Sequence, residues 1–445
     1  MELRPIILAA GRGSRMYPLT EGCPKALLPV GNVPLVWYPV HWLEKNGYAK
    51  VTVVVSESSS QQINDALTEL CISNSSKILL SFEEIPDSED SGTADTLRNL
   101  KIKGDLLVIT CDLVATVPLH WLTDSHHTKN STLTLLLVHP SQDEEDPSKK
   151  KQLGATDRDI IGLDDQSHLV YFMASADLDE GLPLSKSLLN RHPHIKFTSQ
   201  LLDAHVYLMD RWASEQLHTK CRSMSSIKRE LIPHLVRLQN HTSLNSTTNL
   251  DESSTNKQEE PQSTDDALEK MALQRSSFAG VDGGSKNFIR QQLRCNAVVV
   301  PSDGGLCTRV NSLQQYITIN RMMYQYADHF GFLKKTDAAT SRGKSVNPDC
   351  LVATATQVSD KASVKRSCLG QHCVISDKCK IIGSVLMDYV TVGEGCSIQN
   401  CVICSHVRIE DGANLKDCYI GANYTVIKDA DLRGETLVAG GGLHI

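Results

Sequence analysis

Leu386–Ile420 reads LMDYVTVGEGCSIQNCVICSHVRIEDGANLKDCYI. Its aliphatic residues Leu386, Val392, Ile398, Ile403, Ile409, Leu415 and Ile420 are separated by steps of 6, 6 and 5, and then again by 6, 6 and 5. The same steps run back through Val352, Val358, Val364, Leu369, Ile375 and Ile381, and forward through Val426 and Leu432 to Leu437. One triplet therefore recurs every 17 residues, five times. Neither an amphipathic helix nor an alternating strand has such a period. It is the pattern of a hexapeptide β-helix, in which each coil has three short faces and one aliphatic side chain points inward from each. A second column supports it. Ala362, Cys379, Cys396, Ala413 and Ala430 stand four residues after each middle aliphatic, and all are small, as a crowded inner corner requires.

This period also explains most of the cysteines. Eight of the 14 lie at or beyond Cys350, and Cys379 and Cys396 fall in the small inner column. A buried thiol there acts as a small apolar filler. Cys401–Cys404 reads CVIC, but no second such pair exists to complete a zinc site.

Upstream of the repeats the pattern is different. Pro5–Ala10, Lys50–Ser56, KILLSF and DLLVITCDL read as apolar strands. Between them Val36–Tyr48, SSSQQINDALTEL and the stretch from about Thr93 have helical spacing, the first stopping at Gly47. Strands alternating with helices predict a parallel α/β sheet covered on both faces. Further strands are predicted at Ser131–Val138, His168–Ala174 and Asp203–Asp210. The tract Asn240–Lys270 has almost no large apolar residue and cannot bury enough surface to order itself. The expected division is an α/β domain over 1–239, a disordered polar insertion over 240–280, a return segment over 281–335 that closes the α/β domain, and the β-helix over 346–445.

Bulk properties narrow the function classes. The 445 residues are 40% hydrophobic and 22% charged, with a formal net charge of −7. That balance argues against broad binding to nucleic acid or an anionic membrane. No apolar run reaches the roughly 18 residues of a membrane span. The apolar start of MELRPIILAA breaks at Gly11, too early for a secretory signal. The cytosol is the expected location, with free thiols.

The segment after the first strand carries the chemistry. Leu8–Leu35 reads LAAGRGSRMYPLTEGCPKALLPVGNVPL. Gly11 and Gly13 would let backbone N–H groups approach phosphates, with Arg15 and Lys25 neutralising charge and the prolines stiffening the loop. It is neither a Walker loop nor a dinucleotide fingerprint. Isolated, a Gly-x-Gly is only a turn; the whole string says more.

That string resembles the signature of the nucleotide-sugar pyrophosphorylases, which join a nucleoside triphosphate to a sugar phosphate and release pyrophosphate. SGTADTLR (Ser91–Arg98) is similar to their second motif, a Gly-Thr-Ala turn beside the base and sugar, and Asp112 in TCDL matches an aspartate that holds magnesium. The resemblance implies a nucleotidyltransferase-like, Rossmann-like α/β domain followed by a left-handed parallel β-helix. It also implies a nucleotide pocket, vestigial or regulatory, formed by Leu8, Ala10, Gly11, Gly13, Arg15, Lys25, Gly92, Thr93 and Asp112.

The rest of that apparatus departs from the family. Where a Glu-Lys-Pro stretch should clamp the sugar phosphate, Phe172–Gly181 reads FMASADLDEG, without lysine. Where an Asn-x-Gly-x-Tyr strand is expected, DAHVY puts Asp203 for the asparagine and an obstructive His205 for the glycine. Where a second metal aspartate is expected, RVNS has Arg309, and Asn311 replaces a glycine. In-line displacement at the α-phosphate needs a metal held by two carboxylates. One carboxylate beside a cation implies no catalytic residue and no resident metal.

LLPVGNVPLVWYPVHWLEKNGY, GTADTLR, VITCDL, DAHVYLM and SSIKRELIPHLV (Ser225–Val236) together resemble the gamma-subunit family of eukaryotic translation initiation factor 2B, the guanine-nucleotide exchange factor for initiation factor 2. On its own the last string reads as an amphipathic helix in the core. The resemblance implies a non-catalytic subunit that pairs directly with the catalytic epsilon subunit, assembles with alpha, beta and delta subunits into a ten-chain particle, and helps to bind initiation factor 2. The chain stops just after the last coil, so no exchange domain of its own is expected. The preserved loop keeps open an active pyrophosphorylase making a GDP- or ADP-sugar. A β-helix protein with a decayed pocket in another assembly is the blander alternative. His192 and His194 in HPH have no carboxylate or third ligand placed near them by sequence, Lys149–Lys151 beside DEED reads as a solvated loop, and Trp37 and Trp42 read as packing.

Overall fold

The computed structural model describes residues 3–87, 92–100, 102, 104–140, 158–174, 177, 181–184, 186–241, 293–333 and 346–439. The predicted polar insertion therefore lies, from residue 242 on, outside the described residues, as do the DEED and KKK loop and most of Ser175–Glu180.

In chain order the first strands are β1 (Arg4–Leu8), β2 (Pro29–Val30), β3 (Val33–Pro34), β4 (Lys50–Ser56), β5 (Leu79–Ile85), β6 (Leu106–Thr110), β7 (Leu113–Ala115) and β8 (Leu133–Val138). They are followed by β9 (Ile160–Leu163), β10 (Leu169–Met173), β11 (Lys196–Thr198), β12 (Leu202–Met209), β13 (Cys295–Val299) and β14 (Cys307–Arg309). A seven-stranded sheet runs β13-β8-β12-β6-β1-β4-β5. The four strands of the first half are parallel, as the alternating pattern predicts. The second half is not: β12 lies antiparallel to both β6 and β8. The predicted strand at His168–Ala174 leaves the main sheet and forms a separate one, β10-β9-β11.

Period-two alternation divides the core between the two faces of the sheet. Ile7, Val53 and Ile109 pack with Trp37, Val40, Leu43, Ile63 and Leu67 on one side. Ile6, Val108 and Leu135 pack with Ala94, Leu97, Ala213, Leu231 and Leu235 on the other. The helix Trp37–Lys45 ends where Gly47, at φ 87°, lets the chain turn back and Tyr48 N–H reach the Leu43 carbonyl. Trp37 is fully buried, and the Trp42 indole N–H donates to the Val117 carbonyl at 2.7 Å, so both tryptophans serve packing.

Residues 346–439 form the β-helix. Its strands make three parallel sheets of six, five and five strands, joined coil to coil in the 17-residue register. Leu369 pairs with Leu386, Ile381 with Ile398, and Val392 with Ile409. The core holds the expected column, from Val364 through Ile420 to Leu437, together with Ala362, Cys379, Cys396 and Ala413. All eight cysteines from Cys350 onward are buried free thiols.

The helix Leu313–Phe330 joins the two parts. Ser312 caps its start by accepting from Gln315 N–H, and Gly331 at φ 66° closes its end. Tyr316, Ile319 and Met323 pack with Leu28, Val30 and Leu35 of the loop region, and in the same cluster lie Leu351, Cys368, Val385, Val402 and Cys404 of the β-helix. Arg321 donates to the Gly383 carbonyl and to Asn400 Oδ1, each at 2.9 Å. Asn32 donates to the Leu369 carbonyl at 2.8 Å. The loop that carries the motif is thus held from below by both the joining helix and the coils.

Candidate functional site

The site is built at the C-terminal end of β6. Asp112 lies two residues past the end of that strand and is 1% exposed. Thr110 Oγ1 donates to its Oδ1 at 2.6 Å. Lys25 comes from the motif loop, where a short helical turn, Lys25–Leu27, starts after Pro24. Its Nζ lies 2.6 Å from Asp112 Oδ2 and 2.6 Å from Asn311 Oδ1. Arg309 arrives on β14, which pairs antiparallel with β7 so that Arg309 faces Leu113. The register, closed by Val310 N–H on the Asp112 carbonyl at 2.8 Å, puts the guanidinium on the carboxylate: Nη2 is 2.8 Å from Oδ2 and Nε 3.3 Å from Oδ1.

Burial alone would raise the Asp112 pKa, but the Arg309 and Lys25 charges hold it well below the usual carboxylate range. Burial would likewise discharge Arg309, and Asp112 more than compensates, raising its pKa. The carboxylate is ionised and doubly paired. The resemblance to pyrophosphorylases implies magnesium at Asp112. The residues present do not fit it: the position for a second carboxylate is Arg309, and both oxygens of Asp112 already accept from protein donors. Among the described residues, no group of three or more His, Cys, Asp or Glu is arranged to hold a metal.

Gly13 sits at φ 70°, and a Cβ there would come within 2.9 Å of Lys25 Cβ, so this glycine is required by the fold. Gly11 is different. It is exposed, its φ is not left-handed, and a Cβ on it would meet nothing within 4 Å. Arg15 is exposed on the same loop; Leu8 is buried and Ala10 half-buried at the end of β1. Lys25, Gly13 and Asp112 are therefore brought together.

Gly92 and Thr93 are engaged elsewhere. A Cβ on Gly92 would lie 2.2 Å from the Ser225 carbonyl oxygen. That oxygen accepts from Ala94 N–H at 2.8 Å, and Thr93 Oγ1 accepts from Ile227 N–H at 3.0 Å. Arg98 ties the same segment down by donating to the carbonyls of Leu217, Cys221 and Met224. The turn expected beside a nucleotide base is thus packed against the chain's own residues 221–227.

The sequence reading missed Lys228. Ser225–Val236 is the predicted core helix, with Ile227, Leu231, Ile232, Leu235 and Val236 buried, but its first turn, Ile227–Leu231, is a π-helix. Wide turns of this kind re-aim side chains. Here Lys228 Nζ lies 2.9 Å from the buried Asp159. Nearby, β12 carries a register shift between Asp203 and Tyr207, and His205 stands in that bulge at φ 54°. Asp203 accepts from His205 N–H at 2.8 Å and from the Tyr207 hydroxyl. Burial, reinforced by Arg309 and Lys228, pushes the His205 pKa well down, so its ring is neutral. Away from this site, HPH does find a carboxylate in space: Asp164 Oδ2 is 2.7 Å from His168 Nδ1 and 3.6 Å from His192 Nδ1.

Two family descriptions match the chain. Nucleotidyl transferase matches residues 4–148, and EIF2B subunit epsilon LbH domain, a left-handed β-helix, matches residues 331–432. Among curated proteins, the translation initiation factor eIF2B subunit gamma of Schizosaccharomyces pombe is 29% identical over 363 residues, which is 80% of this chain and 73% of that one. The same subunit of Dictyostelium discoideum is 28% identical over 84% of this chain and 88% of its own. That of Caenorhabditis elegans is 32% identical over 54% of this chain and 59% of its own.

Proposed function

This chain is a subunit of the translation initiation factor 2B type, similar over 80% of its length to an eIF2B gamma subunit, and we propose that it serves its complex without catalysing nucleotidyl transfer. In this reading it works in the cytosol, pairs with an epsilon subunit that performs guanine-nucleotide exchange, assembles with alpha, beta and delta subunits, and helps to hold initiation factor 2. The observation that supports it is the state of Asp112. The carboxylate that would have to bind a metal is instead neutralised by Lys25 and Arg309. In-line phosphoryl transfer relies on a metal held by carboxylates on the reacting phosphates; here Arg309 stands in the place of the second carboxylate and is paired with the first. The active-pyrophosphorylase reading is not favoured.

The test is turnover. With magnesium, a nucleoside triphosphate and a panel of sugar 1-phosphates, the full chain is expected to release no pyrophosphate above the uncatalysed background. Steady, enzyme-proportional release with any sugar phosphate would refute the non-catalytic reading.

A further inference from the structure

We propose that Cys401 and Cys418 are a modification site for peroxide, at which oxidation joins two neighbouring coils of the β-helix by a disulfide. The site lies outside the Asp112 cluster and does not depend on the non-catalytic reading of that pocket.

Three observations carry it. First, the two residues are stacked. Val402 pairs with Tyr419, so Cys401 lies beside Cys418 of the next coil, and Val402 N–H donates to the Cys418 carbonyl at 3.0 Å. Cys418 N–H donates to Cys401 Sγ at 3.4 Å, and the side chains interact through a thiol–thiol hydrogen bond. Neighbouring strands stand about 4.8 Å apart, inside the Cα separation of about 4.4–6.8 Å that a disulfide bridges. Second, Cys418 has thiolate character. The Cys401 thiol beside it lowers its pKa against the opposing effect of burial, with help from the backbone at Glu435 and Lys416, while Cys401 is pushed up. The thiolate is the nucleophilic form.

Third, the coil that covers Cys418 is weakly held. Among the described residues, Thr425–Val426, Asp431–Arg433 and Thr436–Leu437 are the last strands of their sheets and pair on one side only. Leu432 and Ala430 are half-buried, where their counterparts Leu415 and Ala413 are 0% exposed. Glu435, the next residue of the same column, has a buried Oε2 without a hydrogen-bond partner, a cost that opening of the coil relieves. Terminal repeats of a solenoid open most readily, and opening of this one uncovers Cys418. Cys379 and Cys396 form a second stacked pair, but beneath Ala413 and Ala430 of two further coils, so they serve as an internal control.

In the reaction the Cys418 thiolate attacks one peroxide oxygen and the O–O bond breaks. The sulfur becomes a sulfenic acid, and the released hydroxide takes up a proton and leaves as water. The Cys401 thiol then attacks that sulfur; the S–S bond forms, and the sulfenic hydroxyl leaves with the Cys401 proton as a second water. Two thiols are oxidised and one peroxide is reduced.

The experiment treats the reduced full chain with hydrogen peroxide, blocks remaining thiols by alkylation and maps tryptic peptides by mass spectrometry. The expected result is a peptide pair linked through Cys401 and Cys418 and released by dithiothreitol. It should form about tenfold or more faster than any link between Cys379 and Cys396, which two further coils protect. Cys401→Ser is expected to keep the wild-type thermal midpoint, because Ser384 Oγ already accepts from Cys401 N–H in the same column. In that variant Cys418 is expected to stop at the sulfenic acid and be trapped by dimedone, an adduct absent from the wild type. Cys401 and Cys418 remaining reduced while the half-buried Cys71 is oxidised would overturn the proposal. So would equal rates for the two pairs, or a Cys401→Ser protein with no adduct at Cys418.

Discussion

Asp112→Ala is expected to destabilise the chain by about 3–5 kcal/mol, the scale of a buried charge cluster that loses one partner. The loss is large because the variant strands two cations. Lys25 and Arg309 are both mostly buried, at 8% and 18% side-chain exposure, and both point at the same carboxylate. Asp112→Asn keeps the shape but not the charge and is expected to recover little. Denaturant unfolding measures the difference. Its pH dependence is a second check. The folded pKa of Asp112 lies well below its ordinary 3.8, so the stabilisation is fully present above that value. It is lost as pH falls through the folded pKa, and the gap between wild type and Asp112→Ala is expected to narrow there. A gap that widened on acidification would mean that the carboxylate is not held ionised by its neighbours.

Tyr316→Ala is expected to cost about 3–5 kcal/mol as well, the usual range for truncating a fully buried aromatic residue. Tyr316 is 0% exposed, its hydroxyl donates to the Pro29 carbonyl at 2.5 Å, and its neighbours come from both the loop region and the β-helix. The variant should therefore do more than lower one midpoint. Calorimetry is expected to resolve a β-helix transition separate from that of the α/β part. Tyr316→Phe, which leaves only the Pro29 carbonyl without its donor, is expected to cost about 1 kcal/mol and to keep a single transition. A single transition in Tyr316→Ala would show that the joining helix does not couple the two parts.

The β-helix was legible because its constraint repeats. Every coil must bury one aliphatic side chain per face, so Leu386, Val392 and Ile398 are rewritten 17 residues later as Ile403, Ile409 and Leu415. The corners were less legible. His372, Tyr389 and His406 occupy left-handed positions that a sequence rule would give to glycine or asparagine, and their rings stack 5.0 Å apart. In the α/β part, the parallel half followed from alternating elements. The antiparallel β12 did not, because an apolar strand reads the same in either direction.

The site divides in a similar way. Lys25 and Asp112 come from contiguous motifs and could be found by eye. Arg309 could be placed opposite them, but its two contacts on Asp112 depend on the β7–β14 register, which no local pattern fixes. Gly92 and Thr93 belong to a motif that reads locally, and only the packing of Ser225 reveals their occupation. Lys228 enters through a single wide helical turn, and a helix drawn with regular spacing aims it elsewhere. Asp164 stands 28 residues before His192, on another element, and their meeting is purely tertiary.

The most direct test of the account as a whole is the native mass of the endogenous protein, isolated gently from cell lysate with every co-purifying chain identified. The account predicts one assembly in which epsilon, alpha, beta and delta subunits accompany this chain in equal amounts. A free chain, or an oligomer made of this chain alone, would contradict it.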